Sequence, residues 1–198
     1  MRPAKTNATY EDVLDSPESA VAELIDGDLY LSPRPMGPHQ SVATGLIGLL
    51  YPRFSHGGGG DDGWVLLDEP QLNLDGRILV PDLAGWRASR MPSIPDHFTL
   101  APDWVCEIAS RSTHKLDRTK KLPIYAASGV AHAWLIHPVL RSLTVLRLHG
   151  GHWIEIGFHE GDERVRAAPF ESFELELGRL WWGLATHASE SEAMAAPW

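Results

Sequence analysis

Three charged residues in neighbouring segments have side chains that suit metal-assisted chemistry. Asp82 follows a proline in "LVPDLAGW", Glu107 lies within the apolar run "DWVCEIAS", and Lys121 lies further along, in "DRTKKLPIYA". If the strands that carry Asp82 and Glu107 pair, about 4.8 Å separates their backbones. Two carboxylates at that separation can bind one hard cation, and Mg²⁺ suits such a site because it takes oxygen ligands and keeps several waters.

A second Pro-Asp pair, ending at Asp103, is closer to Glu107 in sequence but is badly placed for a shared metal ion. The two acids lie four residues apart in one extended segment. At about 3.3 Å per residue their backbones are about 13 Å apart. We therefore predict a structural role for Asp103 and take Asp82 as the partner of Glu107.

Glu107 is an unusual residue for its position. Strand alternation places Val105, Glu107 and Ala109 on one face of the predicted strand. A carboxylate among such neighbours costs several kcal/mol unless it is paired, so it needs a metal ion, a lysine or hydrogen bonds. The alternative is a carboxylate at the strand end that is solvated or salt-bridged.

The segment after this strand predicts a helix from about Thr113 to Ser128. Lys121 lies at the edge of its packed face, where it could reach back over the sheet toward Glu107. The alternative is a solvated lysine paired with Asp117, four residues earlier. Lys120 is the competing lysine, and a kink at Pro123 would affect where either lysine points.

The remaining segments predict an α+β fold. A short helix, a hairpin turning at Asp26-Gly27 and a helix from about His39 to Phe54 come first. A meander of strands, "WVLLDEPQLNL" and "RILVPDLAGWRA", precedes the strand of Glu107, and further β-segments end with "FELELGRLWWGL". We expect a mixed β-sheet core flanked by helices. The order of these segments predicts a single domain over residues 1–187 and a loose C-terminal tail over residues 188–198.

The composition narrows the range of functions. The chain has 198 residues, of which 43% are hydrophobic, and a net charge of −9. That charge argues against a broad, non-specific nucleic-acid surface. The single cysteine, Cys106, excludes an internal disulfide framework and is expected to be a small buried hydrophobe. No apolar run approaches the ~18 residues of a membrane span, so we expect no membrane association and a cytoplasmic location.

Two other groups of residues favour structural interpretations. Four consecutive glycines in "SHGGGGDDG" lack the Gly-Lys-Ser/Thr that a phosphate-binding loop requires, so a flexible loop is predicted. His149 and His152 flank two glycines, which is typical of a hairpin turn rather than of a metal pair.

Several of these segments together resemble the Uma-type restriction endonuclease family, within the PD-(D/E)XK nuclease superfamily. The resemblance rests on the order and spacing of "AELIDGDLYLSP", "PHQ", "VPDLAGW", "PDWVCEIASRST", "DRTKKLPIYAASGVAHAWLIHP" and "LTVLRL". It extends from about Tyr10 to Leu148. It implies a restriction-endonuclease-like fold, an α/β/α-like arrangement of a mixed sheet flanked by helices.

The resemblance also implies a set of site residues. Asp82 and Glu107 would hold Mg²⁺ or Mn²⁺. The superfamily motif has its lysine at position 109, where this chain has alanine, and the family pattern supplies it from the next helix as Lys121. Glu23 matches a further acidic position and is a candidate catalytic residue. His39, in "PHQ", also matches a family position and is a candidate for substrate binding, with helix capping and packing as the alternative. Lys120, the competing lysine, is a further candidate for substrate binding that does not come from the family match.

These residues imply metal-assisted hydrolysis of phosphodiester bonds. The expected function is a Mg²⁺-dependent endonuclease that acts on DNA. The net charge and the displaced lysine leave open an alternative, a catalytically inactive nuclease-fold module for binding or assembly. A third hypothesis is a hydrolase of small phosphodiesters. An exposed strand edge and the surplus of tryptophan favour a homodimer.

Overall fold

The computed structural model describes residues 1–55, 63–110 and 112–184. The predicted glycine loop and the predicted tail lie largely or wholly outside these residues. The strands in chain order are β1 (Lys5–Thr6), β2 (Ala20–Ile25), β3 (Asp28–Pro33), β4 (Trp64–Asp68), β5 (Leu72–Leu74), β6 (Arg77–Leu79), β7 (Leu83–Arg87), β8 (Trp104–Ile108), β9 (His132–His137), β10 (Ser142–His149), β11 (His152–Glu160), β12 (Arg164–Val165) and β13 (Leu175–Glu176).

The helical elements are short apart from one. They are α1 (Tyr10–Leu14), α2 (Pro38–Phe54), α3 (His114–Leu116), a π-helical turn (Asp117–Lys121), α4 (Leu122–Ala127) and a 3₁₀ turn (Leu177–Arg179). Helix α2 begins with a proline, whose missing N–H would be unpaired there in any case. Among the helices of the described ranges, none is both long and apolar enough to cross a membrane.

The strands form a six-stranded sheet in the order β11-β10-β9-β8-β7-β4 and a five-stranded sheet in the order β1-β3-β2-β6-β5, with a small β12-β13 pair. In the six-stranded sheet only β8 and β9 run parallel. The chain crosses between them through α3, the π-helical turn and α4, because parallel neighbours need a long crossover connection. The predicted mixed sheet flanked by helices is confirmed.

The predicted meander before Glu107 is wrong in its connections. Strand β4 pairs directly with β7, while the β5-β6 hairpin leaves this sheet and joins β2. The break falls at Glu69, which has a positive φ of 43°, followed by Pro70. Because proline cannot donate to a β-ladder, "WVLLDEPQLNL" cannot continue as one central strand.

The two faces of the six-stranded sheet pack against different partners. On one face the fully buried side chains of Trp104, Cys106 and Ile108 meet α2 and the segment 165–181. On the other face Val105 packs with α3, α4 and the five-stranded sheet. The alternation predicted for β8 is therefore confirmed, and Glu107 follows Val105 onto the face covered by the helical crossover.

The last predicted β-segment, "FELELGRLWWGL", is mostly not a strand. Only Leu175–Glu176 pairs, with β12, and the 3₁₀ turn follows at once. The apolar side chains of this segment, Leu175, Leu177, Leu180 and Trp181, are buried in the core beneath α2. A turn lets consecutive apolar residues reach one core, whereas a strand would send alternate ones to opposite sides.

Candidate functional site

The helical crossover after β8 contains a π-helical turn, whereas the sequence suggested a kink at Pro123. The helix runs on from His114 to Ala127, and its π-helical turn, Asp117–Lys121, ends just before Pro123. The N–H of Leu122 donates to Asp117 O, five residues back, which is the π-type bond. Such single π turns are frequent at functional sites.

Lys121 is buried at the centre of a group of carboxylates. Its Nζ lies 2.9 Å from Glu107 Oε1 and 3.0 Å from Glu23 Oε1, and it donates to Val80 O at 2.9 Å. Only 3% of the residue is exposed. Lys120, the competing lysine, has an exposed side chain. The contact between the crossover helix and the strand acid is thus made by Lys121.

The two acids that contact Lys121 come from different sheets. Glu107 belongs to β8 of the six-stranded sheet and also accepts a hydrogen bond of 2.7 Å from the hydroxyl of Tyr125. Glu23 belongs to β2 of the five-stranded sheet, and its Oε1 accepts a hydrogen bond of 2.9 Å from the N–H of Val80. Lys121 therefore bridges the two sheets.

Asp82 lies at the edge of this group and is held separately. Its Oδ2 accepts a hydrogen bond of 2.6 Å from the N–H of Ile108, and its Oδ1 lies 3.1 Å from His39 Nε2. In the β7-β8 ladder Leu83 pairs with Cys106. Continuing that antiparallel register by one residue places Asp82 opposite Glu107, on the neighbouring strand.

Sequence reasoning considered Asp117 only as the partner in the alternative of a solvated Lys121, and the structure shows that both residues are buried. Its Oδ1 lies 3.7 Å from Lys121 Nζ, and among the described residues this atom has no hydrogen-bond partner. Burial raises the pKa of Asp117 to about 6, and Lys121 offsets only part of that effect. Tyr125 was also not identified as a site residue, although Asp117 and Tyr125 each lie four residues from Lys121 in the sequence.

Burial and mutual repulsion raise the pKa values of Glu107 and Asp117 in this group. Burial is the main cause that raises the pKa of Glu107 well above its usual value; Lys121 opposes it, while Asp117 and Asp82 add repulsion. Burial would lower the pKa of Lys121, but Glu107 and other acids outweigh it and raise the pKa, so the lysine stays charged.

His39 is a second basic residue that contacts the acids, through Asp82. Burial lowers the pKa of His39, yet its hydrogen bond to Asp82 and the charge of that carboxylate outweigh burial and raise the pKa above 6.5. The opposite ring nitrogen, Nδ1, is buried and has no hydrogen-bond partner within the described ranges. His39 is thus placed to hold Asp82 rather than to face open solvent.

The chemistry of the donors fits a hard divalent cation. No three His, Cys, Asp or Glu side chains of residues 1–55, 63–110 and 112–184 are arranged as a ready-made metal site. Mg²⁺, however, commonly uses one or two carboxylates and completes its shell with waters and substrate phosphate. The buried Asp117 oxygen without a hydrogen bond is the kind of acceptor that a cation satisfies.

Two clefts border the acids. Asp82 and His39 line a cleft of about 300 Å³, which is also bordered by Arg34 and α2. Glu107 and Asp117 line a second cleft, of about 240 Å³, between the crossover helix and strands β9 to β11. The acids are therefore accessible in part, even though most of them are buried.

Comparison with known proteins places the chain in a family. The model of the Uma2 family, described as "Putative restriction endonuclease", matches residues 8–178. The chain belongs to the Uma2 family. The resemblance inferred from the sequence segments is confirmed, and the family assignment supports a nuclease. No match was found among the curated proteins.

A solved structure gives the same fold. It is a crystal structure described as "a putative nuclease belonging to DUF820" from Anabaena variabilis ATCC 29413. The likeness has a TM-score of 0.68 and a sequence identity of 23%, and it covers 88% of this chain and 97% of that chain. At this identity the comparison establishes the fold that the Uma2 chain shares with it.

Proposed function

We propose that this Uma2 protein is a divalent-metal-dependent endonuclease that hydrolyses phosphodiester bonds of DNA. The observation that carries the proposal is the excess of buried acid around a single buried lysine. Four carboxylates lie in one electrostatically coupled group with Lys121, namely Glu23, Asp82, Glu107 and Asp117. A purely structural core gains nothing from surplus buried charge, because each unpaired carboxylate costs free energy.

Asp82 and Glu107 would hold Mg²⁺ or Mn²⁺, and Asp117 offers a further carboxylate oxygen. When bound, such an ion polarises a phosphoryl oxygen and lowers the pKa of a coordinated water. Other residues of the chain hold these carboxylates in position for metal binding. The N–H of Ile108 and His39 fix the two oxygens of Asp82, while Tyr125 orients Glu107.

Lys121 would supply fixed positive charge beside the phosphoryl group, where negative charge develops in the transition state. Its raised pKa keeps it protonated, and Glu23 and Val80 O hold its Nζ in place. Glu23 thereby acts as a positioning residue for Lys121. Protein dipoles and charges held in this way need no reorganisation during the reaction.

The test is cleavage of supercoiled plasmid DNA with Mg²⁺ or Mn²⁺. Asp82→Asn is the decisive variant, because asparagine can still accept from the N–H of Ile108 while it loses the negative charge. The matched control is Asp103→Asn, which changes the chain's other Pro-Asp pair; Asp103 accepts from the N–H of Arg87 at 2.8 Å and pairs with Arg90 at 2.6 Å.

We expect metal-dependent nicking that is lost in Asp82→Asn and retained in Asp103→Asn. Equal activity in wild type and Asp82→Asn would refute the assignment of Asp82. A folded wild-type protein that nicks no DNA with either metal would favour the alternative of a non-catalytic binding module.

A further inference from the structure

The cleft lined by Glu107 crosses the six-stranded sheet toward its free edge. Glu107 pairs with Leu135, Leu135 with Thr144, and Thr144 with Phe158, so one residue from each of four neighbouring strands forms a row. Residues paired in register lie on the same face of a sheet. At about 4.8 Å per strand, the row spans roughly 14 Å. We call the cleft above this row the trough.

A second row runs beside the first and is polar. Ser142 pairs with His137 on one side and with Glu160 on the other, and all three line the trough. Leu135 and Phe158 supply apolar surface next to them. A floor of this kind offers apolar contact to the face of a heterocyclic base and hydrogen-bonding groups to its edge.

Phe158 is the aromatic residue at the far end of the trough. It lies on the edge strand β11, and 52% of it is exposed. An exposed phenyl ring on a rigid strand is costly to solvate and is well suited to stacking with a nucleobase, which is tolerant of sequence because every base has a π-face.

The opposite wall of the trough belongs to the helical crossover and carries basic groups. Arg118 and His114 line it, together with Asp117. His137 also lines the trough, and its pKa is lowered by burial and by nearby His114 and Arg118. An arginine here can contact a phosphate of a strand that leaves the acids.

We propose that the trough binds single-stranded DNA leading out of the acid cluster, with a base stacked on Phe158 and a backbone phosphate at Arg118. This inference rests on the proposed function for the role of the acids. The space, about 240 Å³, is smaller than typical drug-sized pockets of ~300–1,000 Å³ and holds one nucleotide-sized group rather than stacked base pairs. The preferred substrate is then unpaired DNA.

The test is binding, measured separately from cleavage. A fluorescein-labelled short oligothymidylate and a duplex of equal length are titrated with protein, and anisotropy is recorded with Ca²⁺ and again with EDTA. Phe158→Ala is expected to weaken binding of the single strand by roughly 5- to 150-fold, the loss of one stacked base. Binding of the duplex should be weaker in wild type and little changed in the variant.

Two matched control substitutions distinguish the loss of trough contacts from the general effects of removing an apolar side chain or a positive charge. Ile154→Ala removes an apolar side chain of the same strand with 43% exposure, but Ile154 pairs with Arg147 and does not line the trough. Arg118→Gln is compared with Arg147→Gln, because each removes one positive charge. Only the trough variants should lose affinity, with melting temperatures unchanged.

The outcomes distinguish this inference from the proposed function. If Phe158→Ala binds the single strand as tightly as Ile154→Ala does, or if duplex binds as tightly as single strand, the trough assignment is wrong whatever the plasmid assay shows. If the expected binding pattern appears but no metal-dependent cleavage occurs, the trough assignment stands and the nuclease proposal fails.

Discussion

Replacement of Lys121 by methionine is expected to destabilise the fold by an amount that grows with pH. Methionine is one heavy atom shorter, keeps most of the apolar stem of the buried side chain, and removes its charge and its hydrogen bond to Val80 O. Glu107 and Glu23 then lose the cation that lies within 3.0 Å of each of them. Removing one partner of a buried ion pair typically costs about 3–5 kcal/mol.

The pH dependence follows from the carboxylates that remain. Lys121 lowers the pKa values of Glu107 and Asp117, so both pKa values rise further without it. An acid whose pKa is higher in the folded than in the unfolded state destabilises the fold progressively as pH rises from the unfolded through the folded value. Because the pKa of Asp117 is raised to about 6 even with Lys121 present, the deficit should be smaller at pH 5 than at pH 8.

The measurement is urea unfolding of both proteins between pH 5 and pH 8, supported by thermal scans. For a chain of this size 1 kcal/mol corresponds to about 2–4 °C in Tm, so the expected shift at pH 8 is about 6–20 °C. Lys120→Met is the control, and because that side chain is exposed its effect should stay within about 0.5 kcal/mol. A deficit below about 1 kcal/mol at pH 8, or one equal at pH 5 and pH 8, would refute the reasoning.

Three further changes test other parts of the structure. Tyr125→Phe removes a hydrogen bond to buried Glu107 and should cost about 1–3 kcal/mol in urea unfolding. Gly85→Ala places a Cβ 2.9 Å from a core leucine and should cost about 1–3 kcal/mol, read from the same assay. In Asp82→Asn the pKa of His39, followed by NMR, should fall relative to wild type, because Asp82 raises it. The stability that Asp82 contributes through His39 is fully present below the unfolded pKa and is lost as pH rises through the folded pKa.

Local patterns were sufficient to predict the elements around Glu107. Alternation along β8 predicted which face of the strand carries Glu107, because the opposite face is fully apolar. The hairpin at Asp26-Gly27 and helix α2 were also predictable, since turn residues and helical spacing are signals within a few residues. The placement of Asp82 opposite Glu107 followed from a single assumed strand pairing.

Long-range contacts could not be predicted in the same way. Glu23 reaches Lys121 only because β2 pairs with β6 through Leu24 and Ile78, and no local pattern reports a pairing between distant segments. The burial of Asp117 was missed because an acid four residues before a lysine is the usual pattern of an exposed helix face. Here the π-helical turn directs Asp117 and Lys121 toward the core, and the five-stranded sheet covers them.

The bridge that Lys121 makes between the two sheets has a consequence for how such a protein could lose an activity during evolution. Substitution of the lysine would disturb the docking of both sheets, so a descendant that changed it would have to survive a large loss of stability. Asp82 lies at the margin of the group, and a neutral asparagine there keeps the backbone hydrogen bond from Ile108. Under the proposed function, descendants that lose the nuclease activity are therefore expected to change Asp82 first and to keep Lys121 for its structural role.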